Sequence, residues 1–425
     1  MRIVTRNIRK LFSDKTDTFI FEHYTGGVLP LSSEREFDLY LHVPFCSSLC
    51  QYCPYNKILF DSITSEKYVD AVCKEVRLVS EKIGKNKFGS LYIGGGTPTL
   101  LLPGLKKIIN ELNGCFALKG PIAIETTASD FTENKIIEMK KLGVSYVSLG
   151  VQSFHQKYLS FLGRNHDSTM TKQAVSLLRN KDFKVSNIDL IFAYPGQTID
   201  ELMDDLSQSV SYRPEQITCY PLFTFPYSKI GKFLKLKKVR MPNWRIRRKM
   251  YYAILDFFSR EGYHQSSVWS FNINKNNKYS SVTRDYYIGF GAGAASYTGT
   301  DFYFNTFSVR DYIQTAEDRI PVALKMKVSA RLEKLFWLYW RLYDTKIPFA
   351  EYERIFGQPI TADFGNVINL FHKLGFFNPG NDSAVSLNKR GAFWIHLLQN
   401  HFALNYVNTI WTNCQQESWP EQIAI

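Results

Sequence analysis

Leu39-Tyr-Leu-His-Val-Pro-Phe-Cys46-Ser-Ser-Leu-Cys50-Gln-Tyr-Cys53 decides how the rest of this chain is read. The stretch opens in a predicted β-strand, Asp38–Val43, and runs into three cysteines at Cys-x3-Cys-x2-Cys spacing, with Tyr52 before the last. Three thiolates in so short a loop can ligate three irons of a cubane and leave the fourth iron open, much as catalytic zinc keeps a position that structural zinc closes. The competing reading is a zinc site completed by His42 or by a distant ligand. Zinc donors come more often as two Cys pairs than as a triplet.

Outward from this loop, β-branched or aromatic runs recur at Ser90–Ile93, Pro121–Glu125, Tyr146–Val151, Ser186–Phe192 and Gln216–Leu222. Between the first two strands Val69, Val72, Val76, Val79 and Ile83 are spaced 3, 4, 3, 4, which is one face of an α-helix. Weaker helical patterns run from Ile136–Ile137 to Leu142 and from Leu202 to Val210. Strands alternating with helices predict parallel βαβ units, and strands apolar on both faces suit a wall covered by helices. Six units fall short of a closed eight-fold barrel. The fold class is therefore α/β: a partial (β/α)6 TIM-like barrel, then an α+β extension and a small winged-helix-like C-terminal domain. The expected divisions are 1–37 (N-terminal extension), 38–225 (barrel), 226–325 (barrel extension and active-site cover) and 326–425 (helices Leu332–Trp340, Phe349–Ile355 and Ala362–Leu374, a hairpin and a last helix).

The 425 residues hold seven cysteines, an odd number, three of them within eight positions. That is no disulfide framework and predicts a reducing compartment, the cytoplasm, with one metal site. Cys73, Cys115, Cys219 and Cys414 read as small buried hydrophobes. No run of about 18 uncharged apolar residues suggests a membrane span. The basic start, MRIVTRNIRK, meets Asp14 and Asp17 at once and has no apolar core of a secretory signal. Much of the net charge of +13 lies between Lys232 and Lys249, where nine of eighteen residues are basic and none acidic. A small polycarboxylate, a solvated helix flank or nucleic acid would each account for it; a small organic substrate is the expected partner, nucleic acid is not, and the chain is expected to be a monomer.

Residues at the predicted strand ends carry further chemistry. Gly94, Gly95 and Gly96, before Thr97, let backbone approach a ligand, and their carbonyls can receive an ammonium group. Glu125 can take ribose hydroxyls. Gln152 ends the fourth strand, and the Arg164 guanidinium behind it suits a carboxylate. Asp189 sits mid-strand in an apolar run and should face the barrel interior, bonded to a ligand there. Each alone is more often structural. Together, at strand C-termini, they mark a site.

The run Tyr40–Cys46 resembles the radical S-adenosylmethionine (SAM) superfamily, in its oxygen-independent coproporphyrinogen III oxidase-like group. The resemblance continues through Gly94-Gly-Gly-Thr-Pro98, Gly150-Val-Gln-Ser-Phe154, Leu162-Gly-Arg-Asn-His166, Asn187-Ile-Asp-Leu-Ile191, Tyr194-Pro-Gly196 and Gly289-Phe-Gly-Ala-Gly293. It implies a [4Fe–4S] cluster on Cys46, Cys50 and Cys53 and one SAM, or two. It implies SAM contacts at Gly94, Gly95, Gly96, Thr97, Glu125, Gln152, Arg164 and Asp189, a catalytic Tyr40 beside the cluster, and a glycine run closing over the site. Electrons would come from a donor such as flavodoxin or ferredoxin. The implied activity is reductive cleavage of SAM to a 5′-deoxyadenosyl radical that takes hydrogen from a tetrapyrrole or related substrate. Radical C-methyl transfer or cyclopropane formation with two SAM molecules is the alternative, and a heme chaperone is a third reading. Two departures matter. Oxidases of the group carry a further Cys where this chain has Tyr55, and heme chaperones carry His-Asn-x-x-Tyr-Trp where this chain has Asn277-Lys-Tyr-Ser-Ser-Val-Thr-Arg-Asp285.

Overall fold

In the computed structural model the residues described are 19–26, 35–84, 87–179, 182–236, 239–275, 280, 285–379 and 383–425. Six strands run parallel and adjacent: Phe37–Val43, Lys87–Gly95, Ile122–Thr127, Val144–Gln152, Val185–Phe192 and Gln216–Pro221. These are the six predicted from sequence. The strand path does not return on itself among the described residues; it ends at His264–Gln265 on one side and at Gln422–Ala424 on the other.

The helices that cover this wall form where their sequences dictate. Ser62–Ile83 starts at Asp61, whose side chain accepts from the Thr64 amide at 2.7 Å, and turns Val69, Val72, Val76 and Val79 into the core. Burial of each Val contributes about 1.5 kcal/mol, and the cap adds about 1 kcal/mol. Ile199–Ser211 carries a capping box in which Thr198 and Glu201 satisfy each other's backbone amides.

The segment 243–315, expected as a helix followed by strands that end at Gly289–Gly293, has that order of helix then strands, but two strand pairings were not read from the sequence. A seventh parallel strand, Tyr287–Phe290, pairs with Phe37–Val43 and carries the start of the glycine run. It is only four residues long and Gly289 interrupts its β-branched and aromatic run. The N-terminal segment, expected as an extension, supplies the strand Ile20–His23, which pairs with both Val322–Lys327 and Gln422–Ala424 and so joins the two ends of the chain in one sheet. The C-terminal module matches its expectation: helices Ala330–Tyr343, Phe349–Phe356 and Ile360–Lys373, the antiparallel pair Lys346–Pro348 and Ala384–Ser386, and a final helix Lys389–Gln416. Cys73, Cys219 and Cys414 are buried as expected, whereas Cys115 is half-buried with its thiol near Glu111.

Glu75 locks the helix Ser62–Ile83 to the strands of the extension. Its buried carboxylate accepts from the Gly291 amide at 2.9 Å, from Asn305 Nδ2 at 2.6 Å and from the Tyr312 hydroxyl. Burial nevertheless pushes its carboxyl up to about 7, against those three donors. Glu75→Ala is expected to strand all three donors and to cost about 3 kcal/mol or more in urea unfolding of the purified chain. A loss below about 1 kcal/mol would show that the contact is dispensable.

Candidate functional site

The loop between the first strand and the helix Ser62–Ile83 is held by backbone. The Gly96 amide donates to Val43 O at 2.7 Å and the Thr97 amide to Phe45 O at 2.7 Å, so the rim of the second strand is stitched to the residues just before Cys46. A Cβ on Gly96 would lie 2.5 Å from Phe45 O and 2.9 Å from Cys46 Sγ, so no other residue fits there unless the loop shifts. Lys57, which lines the cavity, donates from Nζ to Cys53 O at 2.7 Å, and behind the loop His42 Nε2 meets Asn56 O at 2.8 Å. Asn56 Nδ2 reaches on to Ala292 O and Phe307 O. The glycine run therefore backs the cysteine loop, and its residues are absent from the cavity wall.

A cavity of about 480 Å³ opens above the strand C-termini, and Cys46, Cys50 and Cys53 line one end of it. Gly95, Gly96, Thr97, Glu125, Gln152, Arg164 and Asp189 line the same cavity. Of the residues expected at the site, Gly94 and Tyr40 are not in the wall. A Cβ on Gly94 would lie 3.1 Å from the Glu125 carboxyl carbon, so this glycine makes room for that side chain. Tyr40 is one ring removed: it stacks on the lining residue Tyr92 at 6.2 Å, and its hydroxyl is bonded to His42 Nδ1 at 2.8 Å.

Glu125 accepts from the Tyr92 hydroxyl at 2.5 Å and from the Gly95 amide at 3.2 Å. Burial holds its carboxyl up at about 7, and the charge of Asp189 pushes the same way. Burial also lifts Asp189, to about 6, against bonds from Ser148 Oγ at 2.9 Å and Asn187 Nδ2 at 2.8 Å. Asp189 thus already has partners in the protein, where a ligand bond was expected. Arg164 sits opposite, with Nη2 on Gly150 O at 2.8 Å and Nη1 3.5 Å from Cys50 Sγ, while its buried Nε has no hydrogen-bond partner. Gln152 takes a left-handed backbone, φ 71°, a strained conformation for a side chain of its kind, and its Oε1 accepts from the Tyr220 hydroxyl at 3.1 Å.

The three thiols fit an iron–sulfur cluster better than zinc. Among the described residues no three His, Cys, Asp or Glu side chains converge on a single ion, whereas a cubane takes one thiolate per iron. Burial pushes the Cys46 thiol up to about 12 and raises Cys53 as well. Bare thiolates are therefore disfavoured here, and a bound cation is what would deprotonate them.

The far wall was not anticipated. The expected cover, 226–325, contributes Ser267, Trp269, Ser270 and Ser280, but the larger share comes from the C-terminal module. Helix Ala330–Tyr343 presents Tyr339, Trp340 and Tyr343. Helix Lys389–Gln416 presents His396, Asn400, Ala403, Val407 and Trp411, spaced 4, 3, 4, 4 along one face. That periodicity is visible in the sequence, but it is indistinguishable there from a core-facing stripe. Most of the segment 277–285 lies outside the described residues.

Residues 40–208 match the family model of the Radical SAM superfamily. That stretch carries a radical SAM domain. Among relatives, the heme chaperone HemW of Bacillus subtilis is 27% identical over 364 residues, which is 83% of this chain and 95% of that protein. The oxygen-independent coproporphyrinogen III oxidase of Pseudomonas aeruginosa is 24% identical over 312 residues, 68% of this chain and 67% of that one. Coproporphyrinogen III oxidase HemN from Escherichia coli has the same fold, with a TM-score of 0.73 at 19% identity over 88% of this chain and 91% of that one. A domain of this kind implies a [4Fe–4S] cluster and SAM. Among the described residues no helix is long and apolar enough to cross a membrane.

The raised carboxyls set a pH dependence for a cationic ligand such as SAM. Both acids are protonated at pH 5 and ionised at pH 8, so affinity should fall as pH drops through about 7 and about 6. Calorimetric titration of SAM at pH 5 and pH 8 measures this. Glu125→Gln with Asp189→Asn should flatten the profile, and an unchanged slope in the double variant would remove these two groups as its source.

Proposed function

We propose that this radical SAM protein is an enzyme that abstracts hydrogen from a tetrapyrrole or a closely related substrate. The observation that carries the reading is the continuity of one cavity, with the cysteine loop and the Glu125–Arg164–Asp189 set at one end and an aromatic wall at the other. A broad, flat, largely apolar substrate matches that wall, because stacked and edge-on ring contacts reward planar molecules. The relatives that are named for heme or for coproporphyrinogen point to the same substrate class.

In this proposal Cys46, Cys50 and Cys53 hold the [4Fe–4S] cluster. Bound there, the cluster and SAM supply one-electron cleavage to a 5′-deoxyadenosyl radical. Gly95, Gly96 and Thr97 offer backbone and hydroxyl groups to the amino-acid part of SAM, and Gly94 clears space for Glu125. Glu125 and Asp189 hold the ribose and balance positive charge, Gln152 orients by way of Tyr220, and Arg164 takes the carboxylate. Tyr40 acts through Tyr92 and His42 as a positioning residue. The barrel 38–225 carries the SAM end, 326–425 roofs the substrate, and a flavodoxin- or ferredoxin-type donor supplies the electron.

Tyr55 favours a second reading. It lines the cavity where oxidases of the group have their further cysteine, which suits radical methyl transfer with two SAM molecules rather than decarboxylation. A heme chaperone is the weaker alternative, because 277–285 offers neither His nor Trp.

Product analysis with methyl-labelled SAM separates these readings. The anaerobically reconstituted chain should hold about four irons. Cys46→Ala, Cys50→Ala or Cys53→Ala should abolish this, and Cys73→Ala should not. With a strong reductant and heme or a porphyrinogen, 5′-deoxyadenosine should form in a substrate-dependent way. Carbon dioxide loss without label transfer would mean oxidation. Labelled product with S-adenosylhomocysteine would mean methyl transfer. Stable heme binding with no turnover of either kind would overturn the enzymatic proposal.

A further inference from the structure

The C-terminal helix places one imidazole in the roof of the cavity with nothing in the protein to bond. His396 is buried, at 8% exposure, and lines the cavity together with Trp269, Phe223 and Tyr343. Neither Nδ1 nor Nε2 has a hydrogen-bond partner among the described residues. Its ring contacts are all aromatic: Trp269 edge-on at 4.4 Å and 84°, Tyr343 at 6.1 Å and Phe223 at 6.4 Å. An unsatisfied buried imidazole costs free energy and calls for a physical reason, and a ligand that completes it is one such reason.

We propose that His396 is an axial ligand for the metal of a metallated tetrapyrrole bound in this cavity, so that heme itself, rather than a metal-free porphyrin, is the preferred occupant. The inference rests on the tetrapyrrole reading above. Three observations favour metal ligation over a hydrogen bond to the substrate edge. First, burial and the positive charge of Arg247 hold the imidazole down at about 3, so its lone pair is free throughout the physiological range. Second, the groups recorded around the imidazole are the rings of Trp269, Tyr343 and Phe223, an aromatic surrounding that suits the face of a flat macrocycle better than its carboxylate-bearing edge. Third, the site joins the SAM end through rings alone. Phe223 stacks on Tyr220 at 6.3 Å, and the Tyr220 hydroxyl donates to Gln152. A macrocycle under His396 would therefore reach toward the reacting end along an aromatic wall.

The acceptor that usually stands behind a ligating histidine is missing among the described residues, since both ring nitrogens are unpartnered. Such acceptors raise ligand basicity and fix the ring, and their loss typically weakens metal binding by about 10–100-fold. A histidine without one makes an exchangeable bond. That suits a substrate that must leave and not a resident cofactor.

The test is an anaerobic titration of the full-length chain with ferric heme, zinc protoporphyrin and metal-free protoporphyrin, followed by absorption and by resonance Raman spectroscopy. The wild-type chain should show an imidazole-bound metal. His396→Gln, close in volume, should lose that signature and weaken both metallated ligands about ten-fold or more, while metal-free protoporphyrin binding changes less than about two-fold. His396→Ala should regain the signature with added imidazole. Melting followed by circular dichroism checks that both variants fold. A wild-type spectrum and affinity for heme in His396→Gln would overturn the inference and leave the tetrapyrrole reading standing. Equal loss of all three ligands would overturn it too, because the histidine would then be shaping the cavity. If none of the three binds the wild-type chain, the tetrapyrrole reading fails as well.

Discussion

The backbone approach between the first two barrel strands sets the position of everything else in the site. Gly96 and Thr97 donate to Val43 and Phe45 across a gap that no Cβ could share, and Cys46 follows immediately. Two amide bonds between neighbouring strand ends are therefore what hold the first cysteine over the barrel rim. The same contact brings the Gly95 amide onto Glu125, which couples the cysteine loop to the third strand. Behind the loop His42, Asn56 and Ala292 continue the ladder, and Gly291 reaches Glu75. Gly291 has φ +100°, and a Cβ there would fall 2.4 Å from the Tyr68 hydroxyl, so the glycine run serves as a tight buttress.

Held in that frame, the polar groups of the cavity are poised rather than satisfied. Two carboxyls are lifted by burial to about 7 and about 6, and the guanidinium of Arg164 keeps a buried Nε unpaired. In a dry site such groups interact more strongly than in water, and each gains by meeting a ligand of opposite sign. Gln152 adds backbone strain at the strand end. Below Asp189 the demand disappears. Asn187, Ser148, Gln216, Thr218 and Asn272 bond one another in a closed network across the strand interiors. The cavity thus keeps unpaired polar atoms at Arg164 and in the roof at Trp269 and His396, above this bonded network.

The parallel wall was legible in the sequence because its six strands are β-branched or aromatic runs, and several are followed by a helix whose buried face repeats every three or four residues. The barrel half of the site was legible because its residues sit at strand ends in an ordered set. Strand alternation then brought Asp189 to the interior face while its neighbours Ile188 and Leu190 packed into the core. What could not be read depends on contacts distant in sequence. Ile20–His23 is four residues long and finds its partners at Leu324–Lys325 and Gln422–Ala424. Tyr287–Phe290 joins Asp38–Leu41 across about 250 residues. His396, Val407 and Trp411 form an ordinary helical stripe in the sequence, and only docking of that helix over the barrel separates a cavity wall from a core.

That separation bears on how one barrel can serve different reactions. The polar groups from Gly95 to Asp189 at the cysteine end of the cavity come from the barrel, most of them on strands whose register is fixed by backbone pairing. A register-locked wall tolerates little variation, because a slip of one residue would turn Asp189 outward. The roof is supplied by side chains on two helices, where exchanging one residue changes the shape and chemistry of the cavity without moving the backbone. Ala403 between His396 and Val407 illustrates this: a small residue there leaves space beneath the helix that a larger side chain would fill. The cysteine end of the cavity is therefore built by the barrel and fixed by backbone, whereas the far end is built largely by side chains of the helices 330–343 and 389–416.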